Sequence, residues 1–133
     1  MNILVTGGLG VNGAWVTRKL IERGLNPIVL ENRMDLSLLG EAWARKAKIV
    51  QGDVTDVETM LRTLREYKIE RVVHMAGLIA GLQADPLKGF NVNALGTVGL
   101  LEAARIAGVE RFVFTSSRAV YGEVSGRASH PHY

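Results

Sequence analysis

The chain has 133 residues, no cysteine and a formal net charge of +3 at pH 7, from 16 Lys and Arg against 13 Asp and Glu. This length predicts one domain that folds without a disulfide or a metal, and the lack of cysteine excludes thiolate sites and a cysteine nucleophile. The basic groups lack interleaved aromatic residues, which argues against nucleic-acid binding. No apolar run approaches the roughly 18 residues of a membrane span and no signal peptide is visible, so we expect a cytoplasmic protein without a membrane partner.

A glycine-rich segment near the N-terminus is the first functional signal. The apolar run 3–5 leads directly into residues 6–13, Thr-Gly-Gly-Leu-Gly-Val-Asn-Gly. This pattern predicts a buried strand that turns abruptly into a helix whose first N–H groups face an anion. Gly7 permits the tight turn, Gly10 lets a pyrophosphate approach, and Gly13 lets the helix pack closely on the sheet. The predicted cofactor-binding residues here are Gly7, Gly10, Val11, Asn12 and Gly13.

The second apolar run, 27–30, ends in an acidic residue, Glu31. It follows the glycine turn by about 20 residues, the interval at which a carboxylate accepts hydrogen bonds from the hydroxyls of an adenosine ribose and repels a 2′-phosphate. Arg33 argues for NADP instead, because an arginine near this strand tip can stack on adenine or hold a 2′-phosphate. NAD is therefore the predicted cofactor and NADP stays open, with Glu31, Asn32 and Arg33 as predicted contacts.

The middle of the chain predicts a third strand–helix unit after a connector at 34–48, whose apolar residues suggest a short amphipathic helix or a packed loop. Residues 49–50 predict the strand. Thr55 and Glu58 are spaced as a capping box, in which each side chain satisfies the other's backbone amide. Apolar residues at helical spacing from Val57 to Leu64 predict the helix that follows.

Two more units follow. Residues 71–74 predict strand four, in which His74 is expected to be a core histidine rather than a catalytic or metal-binding one. Asp85 and Pro86 predict the start of a helix that extends to Ala107. Asn93 within that helix competes with its own backbone unless its amide bridges to another segment. Residues 111–115 predict strand five, followed by a Ser116–Ser117 pair that is either a strand-end cap or a pair of hydroxyls aimed at a substrate.

Five strand–helix alternations predict an α/β, Rossmann-type doubly wound parallel sheet in the order 3-2-1-4-5, with helices on both faces. Ligands of such sheets bind at the carboxyl edge of the strands. The predicted domain spans 1–123, and 124–133 is a polar tail. His130 and His132 in the tail lack a third ligand, so no metal site is expected.

These segments together resemble the extended short-chain dehydrogenase/reductase superfamily, and within it the NAD-dependent epimerase/dehydratase family that acts on nucleotide sugars. Residues 6–13 resemble its TGGxGxxG turn, although Phe-Ile is more usual where Val11 and Asn12 stand. The remaining segments that carry the resemblance are 52–56 (GDxxD), 74–77 (HxAx), 93–97 (NxxGT) and 114–122, the strand with the catalytic Ser or Thr. The resemblance covers residues 3–123 and only the N-terminal part of such an enzyme.

The resemblance implies roles for individual residues. Asp53 would meet the adenine ring with Val54 beside it, Asn93 would brace the active site, and Ser117 would bind the reacting sugar hydroxyl. The further cofactor contacts that it implies are Met75, Ala76, Gly77, Asn93 and Thr115. The family's base is a Tyr with a Lys four residues later. None of the three tyrosines, Tyr67, Tyr121 and Tyr133, has that partner.

The expected function is therefore NAD-dependent epimerase or dehydratase chemistry on a nucleotide sugar, by hydride transfer to and from bound NAD. We expect the chain itself to bind the cofactor without turnover. A non-catalytic NAD(P)-binding module and an NADP-preferring reductase of the same superfamily are the alternatives. A homodimer through the helix 86–107 is implied by the family.

Overall fold

The strands form one parallel sheet at the centre of the domain. The computed structural model describes residues 1–79 and 84–121. In this part of the chain, five strands lie in the order β3-β2-β1-β4-β5, which confirms the predicted topology. Their bounds are β1 Asn2–Thr6, β2 Asn26–Glu31, β3 Lys48–Gln51, β4 Arg71–His74 and β5 Arg111–Phe114.

Helices connect these strands, as predicted for parallel crossovers. They are α1 Val11–Glu22, α2 Glu41–Ala44, α3 Val57–Glu66, α4 Pro86–Phe90 and α5 Gly96–Ala107. The predicted helix up to Ala107 is interrupted by a π-helical segment, Asn91–Leu95, between α4 and α5. Gly108 ends α5 in the left-handed conformation at φ +75°, as expected for a glycine cap.

The two faces of the sheet bury different side chains, because successive residues of a strand point to opposite faces. Leu4 and Ile28 pair in register and lie on the face covered by α3 and α5, whereas the next residue, Val29, lies on the face covered by α1. Helices therefore cover both faces. The first cluster contains Leu4, Ile28, Leu30, Val72, Met60, Leu64, Leu100 and Ala103, and the second contains Leu9, Ala14, Val29 and Leu39.

The connector between β2 and β3 is held by Arg18 of α1. Its Nε donates to the carbonyl oxygen of Leu39 at 3.1 Å, and its Nη2 donates to the carbonyl oxygens of Leu38 and Leu39. Leu39 is fully buried against Val29. The connector, for which the sequence left a short helix or a packed loop open, contains the short helix α2 and is held by one guanidinium bound to two backbone carbonyls.

The cap of α3 differs from the predicted capping box, which is wrong by one residue. Asp56, not Thr55, is the N-cap: its Oδ1 accepts from the Thr59 amide at 3.1 Å and its Oδ2 from the Thr59 hydroxyl at 2.6 Å. The Thr55 hydroxyl instead donates to Asp53 Oδ1 at 2.8 Å. Aspartate competes well for the N-cap position because its carboxylate also interacts favourably with the helix dipole.

The described ranges, 1–79 and 84–121, contain no helix with the length and apolar character needed to cross a membrane.

Candidate functional site

The glycine turn between β1 and α1 is closed too tightly for side chains. Gly7 has φ +70°, and a Cβ added to it would lie 2.8 Å from the Ala76 nitrogen. A Cβ on Gly13 would lie only 1.9 Å from the Gly7 carbonyl oxygen, whereas one on Gly10 would lie 3.3 Å from the same atom. The turn therefore requires glycine at 7 and 13 for packing within the protein itself.

The N-terminus of α1 opens at this turn. Gly10 is its N-cap in an extended conformation; within the described residues no side chain caps the helix, and its first turn holds no acid. The amides of Val11, Asn12 and Gly13 belong to the turn whose N–H groups have no partner inside an α-helix. With the positive end of the helix dipole, they form a place for an anion at the carboxyl edge of the sheet.

Glu31 brings a carboxylate from the end of β2 to the same turn. Its Oε2 accepts from the Leu9 amide at 3.3 Å, and its Oε1 accepts from the Asn32 amide at 3.3 Å. Each carboxylate oxygen has a further lone pair that can accept from another donor. The geometry therefore brings a carboxylate with free acceptor capacity directly beside the glycine turn.

Asp53 follows β3 and contacts Asn32, the residue after Glu31. Its Oδ2 accepts from Asn32 Nδ2 at 3.2 Å, and its Oδ1 accepts from the Thr55 amide at 2.9 Å. Partial burial opposes ionisation of this carboxyl, but the hydrogen bonds from Thr55 and Asn32 keep the pKa of Asp53 below its ordinary value. Val54 beside it is buried and Arg33 is exposed.

Asn93 joins the π-helical segment to the loop after β4. Its Oδ1 accepts from the Leu78 amide at 2.7 Å and its Nδ2 donates to the Leu78 carbonyl oxygen at 2.9 Å. A Cβ on Gly77 would lie 3.4 Å from Asn93 Oδ1. The amide thus pairs with backbone outside its helix and holds the loop that contains Met75, Ala76 and Gly77.

Three hydroxyl residues, Thr115, Ser116 and Ser117, follow β5. The Thr115 amide donates to the His74 carbonyl oxygen at 3.1 Å, which extends the pairing with β4 by one residue. Ser117 is exposed, and its Oγ accepts from the Ala119 amide at 3.1 Å at the start of the 3-10 turn Arg118–Tyr121. The structure therefore places Ser117 beyond the same carboxyl edge as the glycine turn.

The buried ring of His74 lies in a network of side-chain hydrogen bonds that the sequence pattern does not predict. The ring is fully buried, as expected for a core histidine, with Nδ1 2.6 Å from Thr6 Oγ1 and Nε2 2.9 Å from Thr97 Oγ1. Burial lowers the pKa of His74 to about 4. Thr97 lies in α5, and spacing along the chain does not reveal its contact with the ring.

Among residues 1–79 and 84–121, no three His, Asp or Glu side chains lie together as a metal site. The predicted tail 124–133, with His130 and His132, lies outside the described residues.

Comparison with known proteins identifies relatives across the chain. The model of the NAD dependent epimerase/dehydratase family matches residues 3–132. A UDP-glucose 4-epimerase of Klebsiella pneumoniae is 35% identical over 130 residues, which cover 92% of this chain and 94% of that protein. Several other UDP-glucose 4-epimerases are longer, and the chain spans 37% to 39% of their length.

Solved structures show the same fold. The UDP-glucose 4-epimerase of Thermus thermophilus in complex with NAD matches with a TM-score of 0.85 at 35% identity, over 98% of this chain and 43% of that chain. The UDP-glucose-4-epimerase of Stenotrophomonas maltophila, with bound NAD and formylated UDP-arabinopyranose, matches with a TM-score of 0.84 at 35% identity, over 92% and 38%. The family match spans nearly all of the sequence, so this chain belongs to the NAD dependent epimerase/dehydratase family.

Proposed function

We propose that this chain binds NAD at the carboxyl edge of its sheet and that the protein modifies a nucleotide sugar of the UDP-hexose class by hydride transfer to and from that cofactor. The family match, and the NAD present in the solved structures of relatives, support the cofactor. The UDP-glucose 4-epimerase relatives support the substrate class. Because the chain spans well under half the length of most of them, the complete reaction is a proposal for the whole protein.

The contact between Glu31 and the Leu9 amide supports this proposal most strongly. It brings a carboxylate that could accept from ribose hydroxyls against the turn that would hold phosphates. A dinucleotide presents those two groups side by side, with its pyrophosphate next to the adenosine ribose.

Each part of the cofactor has residues that fit it. The first-turn amides of α1, from Val11, Asn12 and Gly13, would bind the pyrophosphate, and Glu31 would accept from the ribose hydroxyls. Asp53 would bind at the adenine with Val54 packed beside it, while Asn32 and Arg33 border this end. The loop residues proposed to lie along the cofactor toward the sugar are Met75, Ala76, Gly77, Asn93 and Thr115.

Bound NAD supplies a hydride acceptor and donor for a sugar carbon. We assign Ser117 to bind the reacting hydroxyl, because its Oγ–H can donate while its oxygen still accepts from Ala119. A tyrosine needs a nearby cation to act as base near neutral pH, since its unperturbed pKa is about 10. No tyrosine in the sequence has a lysine four residues later. We therefore propose that the 133 residues alone bind NAD without turnover.

Calorimetric titration of the 133-residue chain with NAD tests the cofactor site. Glu31→Ala should weaken NAD binding by roughly tenfold or more, the value of a lost charge-assisted hydrogen bond. Glu41→Ala is the control, because Glu41 is exposed on α2 and pairs with Arg45. Wild-type chain that binds neither NAD nor NADP would overturn the proposal, and interconversion of UDP-glucose by the chain alone would overturn the absence of turnover.

The exposed position of Arg33 favours one alternative, an NADP-preferring reductase of the same superfamily. The missing Tyr-x-x-x-Lys favours another, a non-catalytic NAD(P)-binding module. Tighter binding of NADP than NAD would select the first. NAD binding by a complete protein without any sugar turnover would select the second.

We also propose a homodimer through residues 86–107. The support is an exposed apolar stripe along α4 and α5, where Leu87, Val98 and Leu101 are 76%, 62% and 44% exposed. Light scattering should give a dimer for the wild type and a monomer for Val98→Lys, whereas a Lys19→Ala control on α1 should stay dimeric. A monomeric wild type at high concentration would overturn this proposal.

A further inference from the structure

We propose that His74 is a positioning residue: as a neutral ring protonated at Nε2, it ties the glycine turn and the loop after β4 to the π-helical segment that presents Asn93. This tie rests on the proposed function for its significance, since the segments it joins are those assigned to the cofactor and the sugar. The side-chain hydrogen bonds of His74, Thr6 and Thr97 define it.

The polarity of the network follows from Thr97. Its hydroxyl donates to the Asn93 carbonyl oxygen at 2.7 Å, and a hydroxyl has only one hydrogen. Thr97 Oγ1 must therefore accept at its 2.9 Å contact with His74 Nε2, so that this nitrogen holds the proton. In a neutral imidazole, Nδ1 is then an acceptor.

The hydrogen bonds of Thr6 agree with a proton on Nε2 of His74. Thr6 Oγ1 lies 2.6 Å from His74 Nδ1 and accepts from the amides of Met75 at 3.2 Å and Ala76 at 3.3 Å. The Thr6 hydroxyl hydrogen is available to donate to Nδ1. The bonds thus run in one direction, from the Ala76 amide through Thr6 to Nδ1, and from Nε2 through Thr97 to the Asn93 carbonyl.

The opposite tautomer loses a bond. With the proton on Nδ1, Nε2 needs a donor, and Thr97 can provide one only by releasing the Asn93 carbonyl. The ring also packs against Phe112 and Phe114, with centroid distances of 5.9 and 5.8 Å, in surroundings that disfavour a charged imidazolium. The neutral Nε2–H form is the one that satisfies every polar group of the network.

The network lies against both halves of the site. Ala76 is the residue whose nitrogen a Cβ on Gly7 would meet, so its position is coupled to the glycine turn. Asn93 holds the loop at Leu78 through its side chain while its carbonyl is held by Thr97. π-Helical turns within α-helices are frequent at functional sites, and here the turn is fastened at Asn93 by a residue of the next helix.

The ring nitrogen-15 chemical shifts of His74 in the folded chain without ligand test the tautomer. We expect the shift of an unprotonated nitrogen at Nδ1 and of a protonated one at Nε2. A protonated Nδ1 in the folded protein would overturn the proposal. This measurement is independent of cofactor binding.

A pair of substitutions tests the positioning. Thr97→Val removes the hydroxyl and keeps the shape, and Thr97→Ser keeps the hydroxyl. Thr97→Val should speed hydrogen exchange of the Leu78 amide and weaken NAD binding roughly tenfold, about the effect of one lost hydrogen bond, while Thr97→Ser should match the wild type.

A control separates positioning from general loss of stability. Ile69→Val removes a methylene from the core away from the network and should lower stability without changing NAD affinity. Thr97→Val with wild-type NAD affinity and wild-type Leu78 exchange would contradict the positioning role. If the wild type binds no dinucleotide, the proposed function fails, whereas the tautomer and the Leu78 exchange still decide whether the tie exists.

Discussion

The backbone of Gly13 in α1 lies against the carbonyl oxygen of Gly7, at a point where a Cβ would be only 1.9 Å from that oxygen. No rotamer relieves such an overlap, because both atoms are fixed by the backbone. The helix and the turn must therefore separate if any side chain is added at this position.

Gly13→Ala should abolish NAD binding and destabilise the fold by about 2 kcal/mol or more, as expected for overpacking without room to relax. Gly24→Ala is the matched control: Gly24 has φ +70° with open space around it, so alanine should cost about 1 kcal/mol in backbone strain and leave NAD binding intact. Urea unfolding and calorimetry measure the two effects. Normal NAD affinity in Gly13→Ala would show that the turn does not contact the cofactor.

The N-cap of α3 gives a second prediction. Asp56→Ala should lower the melting temperature by about 3 °C or more, because the amide and hydroxyl of Thr59 lose their acceptor. The hydrogen bonds from Thr59 lower the pKa of Asp56, so its stabilising effect should persist above the ordinary carboxyl pKa and disappear as the pH falls below it. Glu58→Ala is the control and should melt like the wild type. A larger effect at Glu58 would instead support the capping box of Thr55 and Glu58.

The hydrogen bonds from Arg18 to the connector between β2 and β3 should stabilise the fold. Arg18→Met keeps much of the apolar stem but removes the donors to Leu38 and Leu39, and should cost about 2 kcal/mol. Lys19→Ala, which removes an exposed ion pair with Glu22, should change stability by less than about 0.5 kcal/mol. Chemical denaturation measures both. Equal effects of the two substitutions on stability would contradict a structural role for the hydrogen bonds of Arg18.

Burial of His74 predicts that acid destabilises the fold before most carboxyl groups titrate. The pKa of His74 falls from 6.5 to about 4 in the fold, so the unfolded chain binds the proton first as the pH decreases. The contribution of the neutral, buried His74 ring to the free energy of unfolding is complete well above pH 6.5. It is lost as the pH falls from 6.5 to about 4. About 2 kcal/mol should disappear between about pH 7 and about pH 5.

The measurement is urea unfolding across this range in a chain with His130 and His132 replaced by alanine, which leaves His74 as the one titrating imidazole. The groups that face the ring are the hydroxyls of Thr6 and Thr97 and the rings of Phe112 and Phe114. An NMR titration of the same protein gives the pKa of His74 directly. A folded-state pKa near the ordinary histidine value would contradict the prediction.

Hydrophobic periodicity predicted the architecture because it reflects the local geometry of strands and helices and recurs in every strand–helix unit. Continuous apolar runs such as 3–5 and 27–30 indicated buried parallel strands, and their alternation with helices led to the observed strand order. Gly24 and Gly108 lie just beyond the ends of α1 and α5, where both adopt the left-handed backbone conformation that glycine tolerates. These features depend on neighbours in sequence.

The choice between two adjacent candidates for one role, and contacts between residues distant in sequence, were not predictable in the same way. The capping box failed because Asp56 and Thr55 compete for one helix end, and the spacing alone does not rank them. The π-helical segment replaced a continuous helix where pairing of Asn93 with Leu78, and of Thr97 with His74, acts across the fold. Residue type marked Asn93 as unusual within a helix, but it did not identify the partners.

We propose that two residues at and just beyond the end of β2, Glu31 and Arg33, determine the choice between NAD and NADP. Glu31 carries a negative charge beside the turn, so it should repel the 2′-phosphate of NADP, whereas exposed Arg33 offers a cation to it. Glu31→Gln removes the charge and keeps an oxygen that can accept from Leu9. We expect it to raise NADP affinity by roughly tenfold relative to NAD, the effect of about 1.4 kcal/mol of relieved repulsion.

The contribution of Arg33 is separated in the same background, where Arg33→Ala should reverse the gain if the guanidinium binds the 2′-phosphate. Calorimetry with both dinucleotides at low and high salt measures these changes. The gain should shrink with salt, because the interaction is between charges at the surface. Unchanged selectivity in Glu31→Gln would mean that the carboxylate does not face the adenosine ribose, and that its bond to Leu9 only stabilises the turn.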